Sequence, residues 1–219
     1  MTTIPKAFIF DLDGTLVHAL PDIQANINLA LEQLGYEKRL TLEETRPHVG
    51  GGAQKLAANV LGLPMDHSET MALYHTFANV YEENPAEHGI PFPGVIETLQ
   101  TLHEKGIKLS VVTAKPAKAR IRVLHEMHIE PYLTAALSPE DGFPKKPAPD
   151  MLVECCRCMG VEPAETWMVG DTRFDVEAGL NAKCLGVAFV EHGYQDMPEE
   201  YKGQVWEIEE FSQLLQLVE

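Results

Sequence analysis

Short, continuously apolar runs recur along this chain with helix-length amphipathic stretches between them, and that alternation constrains the fold more than any other feature. The runs Ala7–Phe10, Lys108–Val112, Thr134–Leu137, Thr166–Val169 and Cys184–Val190 are strand-sized. Helical patterns at about Val95–Glu104, Ala117–Met127, Met151–Met159 and Asp175–Leu180 separate them. Strands that lack an alternating polar face are buried on both sides, and helix-length crossovers make them parallel. The predicted class is α/β, a parallel sheet flanked by helices. At 219 residues the chain has the length for one to two domains and a sizeable core.

One interval breaks the alternation. From about Leu16 to about Glu87 there are helical patterns and no convincing strand: Ile23, Ile27, Leu29, Leu31 and Leu34 lead to Gly35, and Leu56–Leu61 and Met71–Val80 repeat the spacing. An all-helical insert over residues 16–87 is therefore expected, with 1–15 and 88–219 forming the α/β core. Its exit, Gly89-Ile90-Pro91-Phe92-Pro93-Gly94, suits a hinge and a fresh helix start. Glu207 to Glu219 reads as an amphipathic acidic helix.

Charge excludes some partners. The 17 Lys and Arg against 33 Asp and Glu give a net charge of −16, a field that repels nucleic acid and anionic membrane surfaces and attracts small cations. No run approaches the roughly 20 apolar residues of a membrane helix, and Asp11 cuts short the N-terminal apolar run, so the expected location is cytoplasmic. Cys155, Cys156 and Cys158 contain a Cys-x-x-Cys spacing, but Cys184 stands alone and no second ligand pair follows. They are read as small apolar residues on a helix from about Pro149 to Met159. His125-Glu126-Met127-His128 is one residue short of the zinc-protease spacing. Gly50-Gly51-Gly52 matches neither a dinucleotide fingerprint nor a Walker loop, and is read as a turning loop near a ligand.

In open parallel sheets ligands collect at the carboxyl ends of the strands. There the sequence places Asp11-Leu12-Asp13-Gly14-Thr15, then Thr113-Ala114-Lys115-Pro116, then Gly170-Asp171-Thr172-Arg173-Phe174-Asp175, with Lys145-Lys146-Pro147 before the fourth strand. Asp11 and Asp13 lean to one side of a strand tip, as a helix-capping pair or as working carboxylates. Thr15 and Leu16 stand where a calcium loop wants other residues. Asp171 and Asp175 share a face across a helix start, either as N-cap and first-turn acid or as ligands of a hard cation together with Asp11. Converging carboxylates repel one another without a cation, which argues for Mg²⁺. Thr113 ahead of a helix N-terminus suits an anion. Lys146 supplies a compact positive charge, although a single lysine is ordinarily a solvated surface residue.

Taken in order, these four pieces resemble the motifs of the haloacid dehalogenase superfamily, over essentially the whole chain. The resemblance implies a Rossmann-like core with a helical cap, and catalysis through Asp11 as a nucleophile that becomes an aspartyl-phosphate, with Asp13 as general acid and base. It also implies Thr113, Ala114 and Lys146 on the phosphoryl group, and Mg²⁺ on Asp11, Asp171 and the Asp13 backbone carbonyl, with Asp175 supporting. Phe92-Pro93-Gly94-Val95, Lys146-Pro147-Ala148-Pro149-Asp150 and Gly170-Asp171-Thr172 are similar to the phosphoglycolate phosphatase-like branch. His18-Ala19 and Asn181-Ala182-Lys183 depart from that branch's usual residues. The presence of Asp13 separates the chain from dehalogenase and phosphonatase members. The implied activity is hydrolysis of a small phosphorylated metabolite such as 2-phosphoglycolate, by a monomer or homodimer. A β-phosphoglucomutase-like phosphomutase, an inorganic pyrophosphatase and an inactive regulatory protein remain as alternatives. A cap that opens and closes places specificity residues on its face toward Asp11. Arg46, His48, Gly51 within the Gly50–Gly52 loop, and Lys55 are the candidates, with a surface helix the other reading for Arg46 and Lys55.

Overall fold

A computed structural model describes residues 4–219. It contains a six-stranded, fully parallel sheet built from β1 (Ala7–Phe10), β4 (Lys108–Val112), β5 (Ala135–Leu137), β6 (Thr166–Gly170), β7 (Gly186–Val190) and β8 (Trp206–Ile208). The order is β5-β4-β1-β6-β7-β8, which puts β1 in the middle: Phe10 is level with Val111 on one side and Val169 on the other. All four β1 side chains are fully buried, and they alternate between two layers. Phe8 and Phe10 join the layer of α5 (Val95–Glu104), α6 (Ala117–Glu126) and the C-terminal segment, while Ala7 and Ile9 join that of α7 (Asp150–Met159) and α8 (Arg173–Asn181). Burial on both faces is why the run carries no polar alternation.

The insert holds α1 (Leu20–Gln33), α2 (Leu42–Thr45), α3 (Ala53–Leu61) and α4 (Ser68–Glu83), packed through Ile23, Ile27, Leu31, Leu56, Val60, Leu73 and Phe77. It leaves and rejoins the core through a ribbon that the periodicity did not predict: β2 (Val17–His18) pairs antiparallel with β3 (Ile90–Pro91). Two residues per strand are too few to show a period. Asp22, 1% exposed on α1, accepts the backbone N–H groups of Glu87, His88 and Gly89 at 2.9, 2.8 and 2.8 Å, pinning the return path to the first helix of the insert.

The C-terminal expectation is corrected. Residues 206–208 add β8 to the edge of the sheet, and Phe211–Val218 forms a 3₁₀ helix instead of the predicted α-helix beginning at Glu207. Ile208, Phe211 and Leu214 are buried, so the stripe read as one helical face is shared between a strand and a tighter helix. β7 begins at Gly186 and not at Cys184, because the Cys184 N–H closes the end of α8 on the Gly179 carbonyl. Cys155 and Cys156 are buried on α7 as expected of apolar side chains, and burial pushes the Cys155 thiol up to about 12, but Cys158 is exposed. Among the described residues no helix is long and apolar enough to cross a membrane.

Candidate active site

Asp11 extends β1 by one residue, its N–H bonded to the Val169 carbonyl at 2.9 Å. Gly14, at φ +91°, then turns the chain sharply away, and its missing side chain is needed twice over: a Cβ there would lie 2.3 Å from Asp171 Oδ2. Asp171 follows β6 and is fully buried, accepting the Thr15 hydroxyl at 3.0 Å and the Tyr194 N–H at 2.8 Å. Asp175 takes the helix-start role foreseen for it and adds an ion pair that was not. Its Oδ2 accepts the Thr172 N–H and hydroxyl at 3.0 and 2.6 Å as the first-turn acid of α8, while Oδ1 accepts Lys146 Nζ at 2.6 Å. The same ammonium lies 2.9 Å from Asp11 Oδ1 and donates to the Val112 carbonyl at 2.8 Å. Lys146 is thus a buried bridge between two carboxylates and not a solvated surface charge.

Oxygens of Asp11, Asp171 and Asp175 lie within 4.8 Å of one another, all buried. Burial, only partly offset by Lys146, holds the Asp11 carboxyl up at about 7. Burial and then the neighbouring Asp11 and Asp175 raise Asp171 well above the usual carboxylate range. For Lys146, burial alone would lower the pKa, but Asp11 and Asp175 outweigh it and keep the ammonium charged. Three buried carboxylates against one ammonium leave an excess of negative charge that hard oxygen donors share best with a divalent cation such as Mg²⁺. The donor set fits that ion.

Asp13, Thr113, Ala114 and Lys115 line a cavity of ≈ 60 Å³ together with Asp11, roofed by Val49, Phe77 and Tyr81 of the insert. Thr113 is 1% exposed, and its oxygen accepts the Lys115 N–H at 3.2 Å, leaving the hydroxyl hydrogen free for a ligand. The expectation of an anion site on the helix beyond is corrected in part: the first N–H of α6, at Ala117, is taken by Glu140 Oε2 at 2.8 Å. Lys115 carries no predicted role, yet its ammonium is fully buried, 3.1 Å from Asp13 Oδ1 and hydrogen-bonded to the Tyr81 hydroxyl on α4, over whose ring it sits at 4.5 Å. Burial would lower its pKa, but the Asp13 charge and Tyr81 more than reverse this.

The structure separates the insert candidates. His48 and the glycines Gly50 and Gly52 line the cavity over Asp11. Gly51 and Lys55 lie in a neighbouring cleft that reaches Lys146, where Lys55 Nζ stands 4.8 Å over the Phe174 ring. Arg46 lines neither; it turns to the loop after β7 and donates to the Gly193 carbonyl at 2.7 Å and the Tyr194 carbonyl at 3.2 Å. Tyr81, Gly193 and Tyr194 escape the sequence reading, and Thr15 and Lys115 stand in its motifs without a site role. For Gly193 and Tyr194 a signal existed: they follow the end of β7, the kind of position that marks the other site residues.

Residues 8–190 match the family of haloacid dehalogenase-like hydrolases. The chain is 33% identical to a phosphoglycolate phosphatase of Haemophilus influenzae over 100% of both sequences. It is 35% identical to that of Pseudomonas syringae over 87% of this chain and 70% of the relative. The crystal structure of a predicted phosphoglycolate phosphatase from Haemophilus somnus 129pt superposes with a TM-score of 0.88 at 28% identity, covering 100% of both chains. With the acid cluster at the β1 tip, the paired lysines and the helical insert in their places, the chain belongs to the haloacid dehalogenase-like hydrolases.

Proposed function

We propose that this protein is a Mg²⁺-dependent phosphomonoester hydrolase that works through an aspartyl-phosphate on Asp11, with residues 16–87 as its cap. The observation that carries the reading is that Asp11 and Asp13, two residues apart, line one small cavity with Thr113, while Lys146 ion-pairs Asp11 from behind. Thr113 holds a phosphoryl oxygen, and Lys146, paired with Asp11 from behind, lends the site its positive charge. An Asp11 oxygen attacks phosphorus as the ester bond breaks, and Asp13 delivers a proton to the departing oxygen. Asp13, now a carboxylate held by Lys115, then takes a proton from the water that cleaves the acyl phosphate. Mg²⁺ on Asp11, Asp171 and the Asp13 carbonyl, with Asp175 supporting, supplies the positive charge that lets a carboxylate approach a phosphate.

The roof over Asp11, from Val49, Phe77 and Tyr81, is largely apolar. The activity named for the relatives makes 2-phosphoglycolate the first substrate to try. The test is phosphate release by purified protein from 2-phosphoglycolate, glucose 6-phosphate and pyrophosphate, with and without Mg²⁺. Mg²⁺-dependent release from 2-phosphoglycolate foremost is the expected result, and Asp11→Asn abolishes it. Transfer to a sugar hydroxyl in place of water would make the protein a mutase.

A further inference from the structure

Arg46 sits on the insert, does not line the cavity over Asp11, and yet connects to the acid cluster through one peptide group. Its guanidinium donates to the Gly193 carbonyl at 2.7 Å. The N–H at the other end of that same peptide, belonging to Tyr194, donates to Asp171 Oδ2 at 2.8 Å. A peptide unit is planar and rigid, so its carbonyl and N–H cannot be moved independently. Here it is held between a cation on the insert and an anion of the acid cluster, an arrangement in which each charge polarises the peptide and strengthens the other's hydrogen bond. Three further contacts fix the unit in place. Arg46 Nε takes the next carbonyl, of Tyr194, at 3.2 Å. The Leu20 N–H, at the start of the insert, donates to the Tyr194 hydroxyl at 2.9 Å. Gly193 is pressed so tightly on Asp171 that a Cβ there would fall 2.1 Å from the aspartate's own Cβ.

We propose that Arg46 is a positioning residue for the divalent cation: through the Gly193–Tyr194 peptide it holds the Asp171 carboxylate in its ligating orientation, and so couples seating of the insert to metal affinity. This rests on the reading of Asp171 as a metal ligand. Coupling of two binding events is reciprocal, so cation binding also favours the seated insert. Outer partners that orient a ligating carboxylate typically carry about 10- to 100-fold in metal affinity.

The experiment measures Mg²⁺ binding by isothermal titration calorimetry without substrate, in the wild type and in Arg46→Ala, Arg46→Gln and Arg46→Lys. The alanine and glutamine variants are expected to weaken binding about tenfold or more, and lysine, with charge but without the fork that spans two carbonyls, to fall between. Hydrogen exchange supplies the reciprocal readout: Mg²⁺ slows exchange of the Arg46–Gly52 loop in the wild type and not in Arg46→Ala. Thermal denaturation beforehand establishes that each variant is folded at the titration temperature. Mg²⁺ affinities within twofold of wild type, loop exchange insensitive to Mg²⁺ in the wild type, or no Mg²⁺ binding by the wild type would each overturn the proposal. Tight Mg²⁺ binding without phosphate release from any substrate would instead sink the phosphatase reading and leave this coupling standing.

Discussion

Two buried lysines serve the two aspartates after β1, and they are held from opposite sides. Lys146 pairs with Asp11 and Asp175 and donates to the Val112 carbonyl, so all of its partners belong to the parallel-sheet core. Lys115 pairs with Asp13 from the core and with Tyr81 from the insert. The Lys146 contacts to Asp11 thus lie within the core, whereas the pairing of Lys115 with Asp13 is closed by Tyr81 where the insert lies on it. On the proposed mechanism, docking of the insert would therefore bear on proton transfer at Asp13 more than on attack by Asp11.

The largest effect is expected on the core side. Asp11→Asn should reduce phosphate release at least about 10³-fold while thermal denaturation shows a folded protein, because no neighbouring group replaces the nucleophile. Retained turnover would remove the covalent mechanism and the contrast with it. Lys146→Met should cost about 3–5 kcal/mol in metal-free urea unfolding, since it strands two buried carboxylates, and Mg²⁺ should restore most of the loss. Lys115→Met should cost about 1–3 kcal/mol, because Asp13 is partly solvated, and Mg²⁺ should not restore it. If Mg²⁺ rescued both variants alike, the two halves would not be distinct.

Acidity sharpens the same comparison. The folded-state pKa of Asp11 is raised to about 7 by burial, so the folded chain keeps a proton that the unfolded chain loses near the ordinary value of 3.8. Metal-free stability from this group is full below the unfolded pKa and is lost as pH rises through about 7. Mg²⁺ competes with that proton, so its stabilisation in calorimetry should be several degrees larger at pH 8 than at pH 5.5. The smallest effect is expected for Tyr81→Phe, about 1 kcal/mol in unfolding, with a loss in kcat exceeding any rise in KM in steady-state assays.

What the sequence disclosed follows the same line. The core is legible because doubly buried strands write continuous apolar runs, and because chemistry at the strand tips is written in contiguous motifs. Asp11, Asp13, Asp171, Asp175, Thr113 and Lys146 converge from four such segments. Lys115 and Tyr81 are far apart in sequence, and each looks ordinary alone, a lysine before Pro116 and a tyrosine on an amphipathic helix. Only the docking of α4 on the core brings them together. Arg46 reads from sequence as a specificity candidate or a surface-helix residue, but its side chain goes to backbone carbonyls, which have no sequence signature. β8 was hidden because Trp206-Glu207-Ile208 is an edge strand of three residues whose buried positions also fit a helical stripe.

Gly14, Gly170 and Gly193 crowd Asp171 and Asp175: added Cβ atoms would fall 2.3 Å from Asp171 Oδ2, 2.3 Å from Asp175 Cβ and 2.1 Å from Asp171 Cβ. The acid cluster is therefore a mould with no slack, cast in main chain. It discriminates by side-chain length as well as charge, so a glutamate in place of Asp171 keeps the anion but has no room for one more methylene. The acids of this site are interchangeable in the net charge of −16 and nowhere else.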